Sequence, residues 1–148
     1  MKVRKYAVIA TESERRLIPA KERNREVIVT GVGGTNAILA LRDIPRDADI
    51  LNIGYAGSLH LPIGTQVRVG RVRLYHPNAT FAERTFELAS GSALCLTAGD
   101  FVEGGDIEKD AVVDMELAYI AALGFTNIKA IKVISDNLRY KQYERTIK

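Results

Sequence analysis

The chain has 148 residues, 47% of them hydrophobic and 26% charged, which is typical of a globular protein with one ordinary core. Its apolar runs are too short to span a bilayer, and no signal-peptide pattern follows Met1, so we expect a cytoplasmic protein with no membrane partner. The single cysteine, Cys95, excludes an internal disulfide framework and a cysteine metal cluster. The net charge of +3 is small, and acidic residues interrupt both basic clusters, so these predict solvated faces and no nucleic-acid partner.

The first half of the chain alternates short apolar runs with helix signals and glycine-rich turns. Pro19 ends the first helical segment, because proline cannot continue a helix. Thr35 or Asn36 would cap the second helix. The predicted order is strand 6–10, helical turns 11–18, strand 26–30, glycine turn 31–34, helix 35–42, strand 49–53 and glycine turn 54–57.

The second half continues the alternation. Residues 66–75 alternate in the manner of a half-exposed strand, and 77–91, with Phe81, Phe86 and Leu88, fit either a helix or an extended arm. The almost entirely apolar segment 115–123 predicts a buried helix that Gly124 ends. Further strands are predicted at 93–97, 111–113 and 129–135. The whole pattern favours one α/β domain with a largely parallel sheet.

Two acidic residues stand at predicted strand ends. Glu116 follows shortly after the apolar run at 111–113, and Asp136 directly follows the strand 129–135. In α/β folds, ligands collect beyond the carboxyl ends of the strands. Burying either acid without a function would be costly, so both are candidate site residues.

Five short motifs lie in order along the chain: TGVGGTNA at 30–37, DILNIGYAGSL at 49–59, IG at 63–64, VDME at 113–116 and VISD at 133–136. Together they resemble the purine nucleoside phosphorylase and methylthioadenosine/S-adenosylhomocysteine nucleosidase superfamily. The resemblance implies one domain over 1–148, a three-layer sandwich whose mixed, largely parallel central sheet is flanked by helices. It also implies a small-molecule purine nucleoside as substrate, a homo-oligomer, and no cofactor or metal.

The resemblance implies distinct roles for three acids. Glu116 matches the glutamate that binds the ribose hydroxyls, a task for which a carboxylate suits because it accepts hydrogen bonds and stabilises positive charge at the sugar. Asp136 matches the general acid that protonates purine N7, with Ser135 orienting it. Glu14 matches the glutamate that activates the attacking water. The other residues that the resemblance assigns to the base and sugar pocket are Met115, Phe101, Val102, Tyr55, Ala56 and Gly57.

Simpler structural interpretations stay open for several of these residues. Met115 begins an apolar helix and fits a core position, and Phe101 fits the anchor of a loop. Glu14 could support the first turn of a helix or pair with Arg15 or Arg16.

Two reactions are compatible with the resemblance. Phosphorylases of this superfamily hold phosphate with arginines, whereas 49–53 contains no cation and 11–14 replaces an arginine-bearing loop. This favours water as the nucleophile and hence a nucleosidase-like hydrolase. The motif SDNLR at 135–139 is more similar to the phosphorylases, so Arg139 with a bound phosphate defines the alternative. A non-catalytic nucleoside-binding relative is the third hypothesis.

The chain departs from the family pattern in three places. The region 76–92 is shorter than the segment that normally supplies lid and dimer contacts. Only residues 137–148 follow Asp136, so we expect the family's C-terminal covering helix to be absent and partner subunits to restore the missing walls. Tyr55 stands where the nucleosidases carry a serine, so we expect a reshaped pocket.

Overall fold

The structure, a computed structural model, describes residues 2–76, 83–105 and 107–147. Two 3₁₀ helices, Glu12–Leu17 and Ala20–Glu22, lie between the first two strands. None of the helices in the described ranges is long and apolar enough to cross a membrane. The α-helices are α1 (Gly34–Leu41), α2 (Leu117–Ala122) and α3 (Tyr140–Ile147), and the strands are β1 (Lys5–Ile9), β2 (Glu26–Val29), β3 (Asp49–Gly57), β4 (Gln66–Leu74), β5 (Thr85–Glu87), β6 (Ala93–Thr97), β7 (Val112–Asp114) and β8 (Asn127–Asp136).

Five of these strands close into a ring. β3 pairs parallel with β8, β8 antiparallel with β4, β4 parallel with β6 and β6 parallel with β7. β7 returns to β3 where Val113 pairs with Gly57. β1 and β2 extend the sheet from β3 by parallel pairing, and β5 pairs antiparallel with β4. The predicted α/β fold with a mixed, largely parallel sheet is confirmed, but the ring of strands replaces the flat central layer of a sandwich.

The two longest neighbouring strands make this closure possible. β3 and β8 pair along almost their whole length, and 131–133 of β8 pair with β4 on the opposite edge. The register between β3 and β8 shifts between Ala56 and Gly57. Such an irregularity increases the local twist of a strand, which turns the end of β3 towards β7.

The core occupies both faces of the central parallel strands. Side chains alternate along β3, so Ile50 joins a cluster with Leu41 of α1 and Leu117 of α2, whereas Leu51 faces a second cluster with Ile18. Parallel strands that are covered on both faces read as nearly continuous apolar runs, as these do. This packing fixes the strands whose carboxyl ends form the site.

Two local expectations in the first half of the chain are wrong. Residues 54–57 form no turn, because β3 continues through Gly57 while it pairs with β8. The N-cap of α1 is Gly33, and neither Thr35 nor Asn36 takes that position.

The structure also decides two expectations for the second half of the chain. Within 77–91, Thr85–Glu87 is the strand β5, so the extended interpretation holds there, and Phe81 lies outside the described residues. The expected absence of a C-terminal covering helix is wrong, because α3 follows Asp136 and contacts β8. This helix is mostly polar and contains no buried residue, but Tyr140, Tyr143 and Ile147 recur on one face at helical spacing.

At Gly70, β4 packs closely against the backbone that precedes β6. A β-carbon at this position would lie 2.7 Å from the Gly91 carbonyl carbon and 3.1 Å from the Ser92 nitrogen, and backbone atoms cannot simply move aside. We expect Gly70→Ala to lower the free energy of unfolding by about 1–3 kcal/mol, measured by urea denaturation. Gly99→Ala is the control, because no atom lies within 4 Å of its added β-carbon. An equal loss in the two variants would contradict this account.

Candidate active site

One cavity of about 240 Å³ lies beyond the carboxyl ends of β1, β3, β7 and β8. The structure places every residue that the sequence predicted for the site on the wall of this cavity. They are Glu14, Tyr55, Ala56, Gly57, Phe101, Val102, Met115, Glu116, Ser135 and Asp136. Residues that the chain separates by more than one hundred positions therefore meet at one edge of the sheet, as the ligand-binding rule for α/β folds predicts.

Asp136 ends β8 and is held by two donors. The Ser135 hydroxyl donates to Oδ2 at 2.7 Å, and the Leu138 backbone N–H donates to Oδ1 at 2.8 Å. A β-carbon on Gly57 would lie 2.7 Å from Oδ1, so glycine is required for this approach. Burial raises the pKa of Asp136, although these hydrogen bonds work in the opposite direction. A carboxyl group in this environment is suited to donate a proton.

Glu14 lies in the first 3₁₀ helix, and its carboxylate accepts three backbone N–H groups. Oε1 accepts from Ala10 at 2.8 Å and from Thr11 at 3.2 Å, and Oε2 accepts from Tyr55 at 2.8 Å. The contact with Thr11 forms a capping box, so Glu14 does support the first helical turn. The bond to Tyr55 also fixes the carboxylate against β3. About four acceptor positions exist on a carboxylate, so one remains for a ligand or water.

Glu116 lies between β7 and α2 as the N-cap residue of that helix. Its Oε2 accepts the Gly33 N–H at 2.7 Å, so the glycine turn after β2 holds this carboxylate across the cavity. Burial, followed by the negative charge of Asp114, raises the pKa of Glu116 from 4.5 to about 7. Near neutral pH, the group is therefore balanced between its ionised and protonated forms.

Helix α3 supplies one side of the cavity. Phe101 contacts Tyr140 edge-on with ring centroids 5.3 Å apart, and the centroid of Tyr143 lies 5.6 Å from that of Phe101. All three rings line the cavity, so Phe101 anchors a loop and also faces the site. Tyr140 and Tyr143 were not predicted from the sequence, because no helix was expected after Asp136.

Arg16 joins α3 to the opposite wall. Its guanidinium donates to the Tyr55 hydroxyl at 2.7 and 2.9 Å and to the Thr146 carbonyl at 2.9 Å. The Thr146 hydroxyl in turn donates to the Ser135 carbonyl at 2.8 Å. The hydroxyl of Tyr55, a residue of the cavity wall, is thus bound by Arg16. Neither arginine that could have paired with Glu14 does so in these contacts. Arg15 pairs with Glu12, and Arg16 donates to Tyr55 and Thr146.

No arginine, lysine or histidine of the described residues lines the cavity. Arg139 is exposed and lies outside the wall. Asp114, a residue of the cavity wall, is buried and contacts Thr97 and Lys132, which are also buried. None of these three was predicted as a site residue from the sequence. A sequence feature that could have pointed to Lys132 is its position as the one charged residue in the apolar segment AIKVI at 130–134.

Solved structures of nucleosidases and of a hydrolase share this fold over almost the whole chain. Helicobacter pylori futalosine hydrolase aligns with a TM-score of 0.74 and 16% identity, covering 98% of this chain and 91% of that one. The 5′-methylthioadenosine/S-adenosylhomocysteine nucleosidase of Streptococcus pneumoniae, solved with a transition-state inhibitor, aligns with a TM-score of 0.76 and 18% identity, covering 98% and 92%. S-adenosylhomocysteine nucleosidase from Streptococcus pyogenes aligns with a TM-score of 0.72 and 20% identity, covering 99% of this chain and 91% of that one.

No family model matches the chain, and a search of curated proteins finds no match. At 16–20% identity, the likeness to these solved structures establishes the mixed α/β fold of the chain.

The raised pKa of Glu116 predicts how stability depends on pH. The folded protein binds the proton of Glu116 more tightly than the unfolded chain does. The contribution of this carboxyl to the free energy of unfolding is therefore fully present below about pH 4.5 and is lost as the pH rises through 7. Glu116→Gln still offers an oxygen to the Gly33 N–H but cannot ionise. We expect this variant to gain stability over the wild type at pH 8 and to gain less at pH 5, measured by urea denaturation. Glu87→Gln, at an exposed residue, is the control, and an equal gain at both pH values contradicts the prediction.

Arg16→Ala should loosen α3 without unfolding the protein. The contacts of Arg16 are exposed, and exposed charged contacts contribute only about 0.2–1 kcal/mol to stability. We therefore expect faster amide hydrogen exchange in 140–147 with little change in the free energy of unfolding. Arg15→Ala is a matched control, because that guanidinium pairs with Glu12 within the same 3₁₀ helix. Equal exchange rates in the two variants would show that Arg16 does not hold the helix.

Proposed function

We propose that this protein cleaves the N-glycosidic bond of purine nucleosides by hydrolysis, in the manner of a methylthioadenosine/S-adenosylhomocysteine nucleosidase. The main support is the meeting of Glu14, Glu116 and Asp136, from three different elements, on one cavity wall. The fold shared with nucleosidases and a hydrolase supports the same reaction class.

Asp136 is the proposed general acid. Its raised pKa keeps a larger fraction of the group protonated, and Ser135 fixes its direction. Transfer of this proton to purine N7 lets the bond between C1′ and N9 break with its electrons leaving on a neutral base. A positioned general acid contributes roughly 10²–10⁴-fold to a rate.

The other two carboxylates act on the sugar. Glu116 accepts hydrogen bonds from the ribose hydroxyls and stabilises the positive charge that develops at C1′. Glu14 accepts a proton from the water whose oxygen forms the new bond to C1′. Three backbone donors fix the direction of Glu14, so its remaining acceptor position is preorganised for that water.

The remaining lining residues have proposed contacts with the substrate. Phe101 and Val102 face the purine base, and Met115 and the segment 55–57 line the sugar and base pocket. We infer one such domain over 1–148 and a homo-oligomer, for which sedimentation equilibrium is the test.

Water is the proposed nucleophile because the described cavity wall contains no cation. Phosphate would need arginine or lysine donors to offset its charge beside three carboxylates. The phosphorolytic alternative relies on Arg139, whose exposed position outside the wall does not favour it. A non-catalytic nucleoside-binding protein would bind the nucleoside but release no free base, and this separates it from both enzymatic alternatives.

We expect purified protein to release free base from methylthioadenosine, adenosine or inosine without added phosphate. The released base is measured by chromatography. Asp136→Asn should lower kcat by roughly 10²–10⁴-fold, because it removes the proton donor but keeps the shape. Asp110→Asn, at an exposed residue outside the cavity, should leave kcat unchanged.

Base release only in the presence of phosphate would replace hydrolysis by phosphorolysis. No base release under either condition, together with identical nucleoside binding by wild type and Asp136→Asn, would reject the catalytic proposal.

A further inference from the structure

A buried ion pair adjoins the cavity, and one of its partners, Asp114, belongs to the cavity wall. The Lys132 ammonium lies 3.0 Å from Asp114 Oδ2, and each of these side chains is only 1% exposed. Replacing such a pair by apolar residues is often neutral or stabilising, because desolvation of two charges offsets their attraction. Stability alone is therefore a weak reason for a lysine inside this strand ring.

Asp114 connects the pair to the site. Its Oδ2 accepts the Leu117 N–H at 2.8 Å, and its Oδ1 accepts the Thr97 hydroxyl at 2.6 Å. The Thr97 oxygen accepts the N–H of Ala118 at 2.9 Å. The first turn of α2, which begins directly after Glu116, is thus held by an aspartate that must stay ionised. The Lys132 charge holds the pKa of Asp114 below its usual range, although burial works to raise it.

The charges around Glu116 are mostly negative. Burial keeps the thiol of Cys95 protonated by raising its pKa well above the usual range, and the pKa of Tyr143 is also raised by burial. The ammonium of Lys132 is therefore the counter-charge, and no cation lines the described cavity wall itself. The titratable and charged groups that act on Glu116 are Asp114 from β7, Lys132 from β8, Glu14 from the first 3₁₀ helix and Tyr143 from α3. Cys95 from β6 lies beside Lys132 and Asp114, and Asp136 from β8 shares the cavity wall.

We propose that Lys132 is a positioning residue: by holding Asp114 it fixes the start of α2 and so orients Glu116, and by its own positive charge it favours the carboxylate that binds the ribose hydroxyls. This inference rests on the proposed function for its kinetic consequence. Its electrostatic consequence is independent of any reaction, because the titration of Glu116 can be measured in the free protein.

The first test is Lys132→Met, with the Glu116 carboxyl followed by ¹³C NMR. Loss of a nearby opposite charge shifts a carboxyl titration upward by roughly 1–3 pH units. A shift of about one unit from a midpoint near 7 leaves about one-tenth of the carboxyl ionised at pH 7, so KM should rise about five-fold or more. kcat should change less than KM. Lys132→Arg keeps the cation and should keep the wild-type titration midpoint.

Arg25→Met is the matched control. Arg25 is also buried and pairs with Asp49 at 2.9 Å, but this pair lies away from the cavity. The control should lower stability while leaving the Glu116 titration and KM at wild-type values. A folded Lys132→Met protein with wild-type titration and KM would overturn the proposal.

A second variant covers the case in which Lys132→Met does not fold. The double variant Asp114→Asn with Lys132→Met leaves no unpaired charge. Asp114→Asn alone is its reference, because both proteins lack the Asp114 carboxylate and differ only in the Lys132 charge. The titration midpoint of Glu116 should be higher in the double variant than in Asp114→Asn, and equal midpoints overturn the proposal. Absence of nucleoside cleavage by the wild type would reject the proposed function, and the NMR titrations would still decide the role of Lys132.

Discussion

The parallel pairing of β3 with β8 is the constraint on which the site depends. It sets Tyr55 beside Val133 and, after the shift in register, Gly57 beside Asp136. Side chains alternate along a strand, so a slip by one residue would turn Asp136 away from the cavity. β1, β4 and β7 all attach to these two strands, and thus the other walls of the site take their positions from the same pairing.

The fold holds three carboxylates at one cavity by giving each a different environment. Glu14 is satisfied by backbone donors, Asp136 by a hydroxyl and one backbone N–H, and Glu116 by a single N–H with a buried ion pair beneath it. Burial raises the pKa of both Glu116 and Asp136. These surroundings support the proposed division into acid, sugar ligand and water-activating base.

The sequence predicted the elements whose signal is local. Apolar runs located the strands, and the rule that ligands bind beyond strand ends singled out Glu116 and Asp136. Where tertiary pairing overrides local propensity, prediction failed: glycines at 54–57 suggested a turn, but β8 keeps that segment extended. Lys132 was overlooked because charge burial depends on a partner that is distant in the chain. The covering helix α3 was missed because it is short and mostly polar, although Tyr140, Tyr143 and Ile147 recur at helical spacing.

The single thiol of the chain gives the strand ring an internal reporter. Cys95 lies on β6 with no exposed surface, and its sulfur contacts the same aspartate that pairs with Lys132. A thiol reacts as its thiolate, so this group is inert while the ring is closed. The rate at which a thiol reagent modifies the folded protein therefore measures how often β6 separates from its neighbours. The centre of the ring can be monitored in this way without an introduced label.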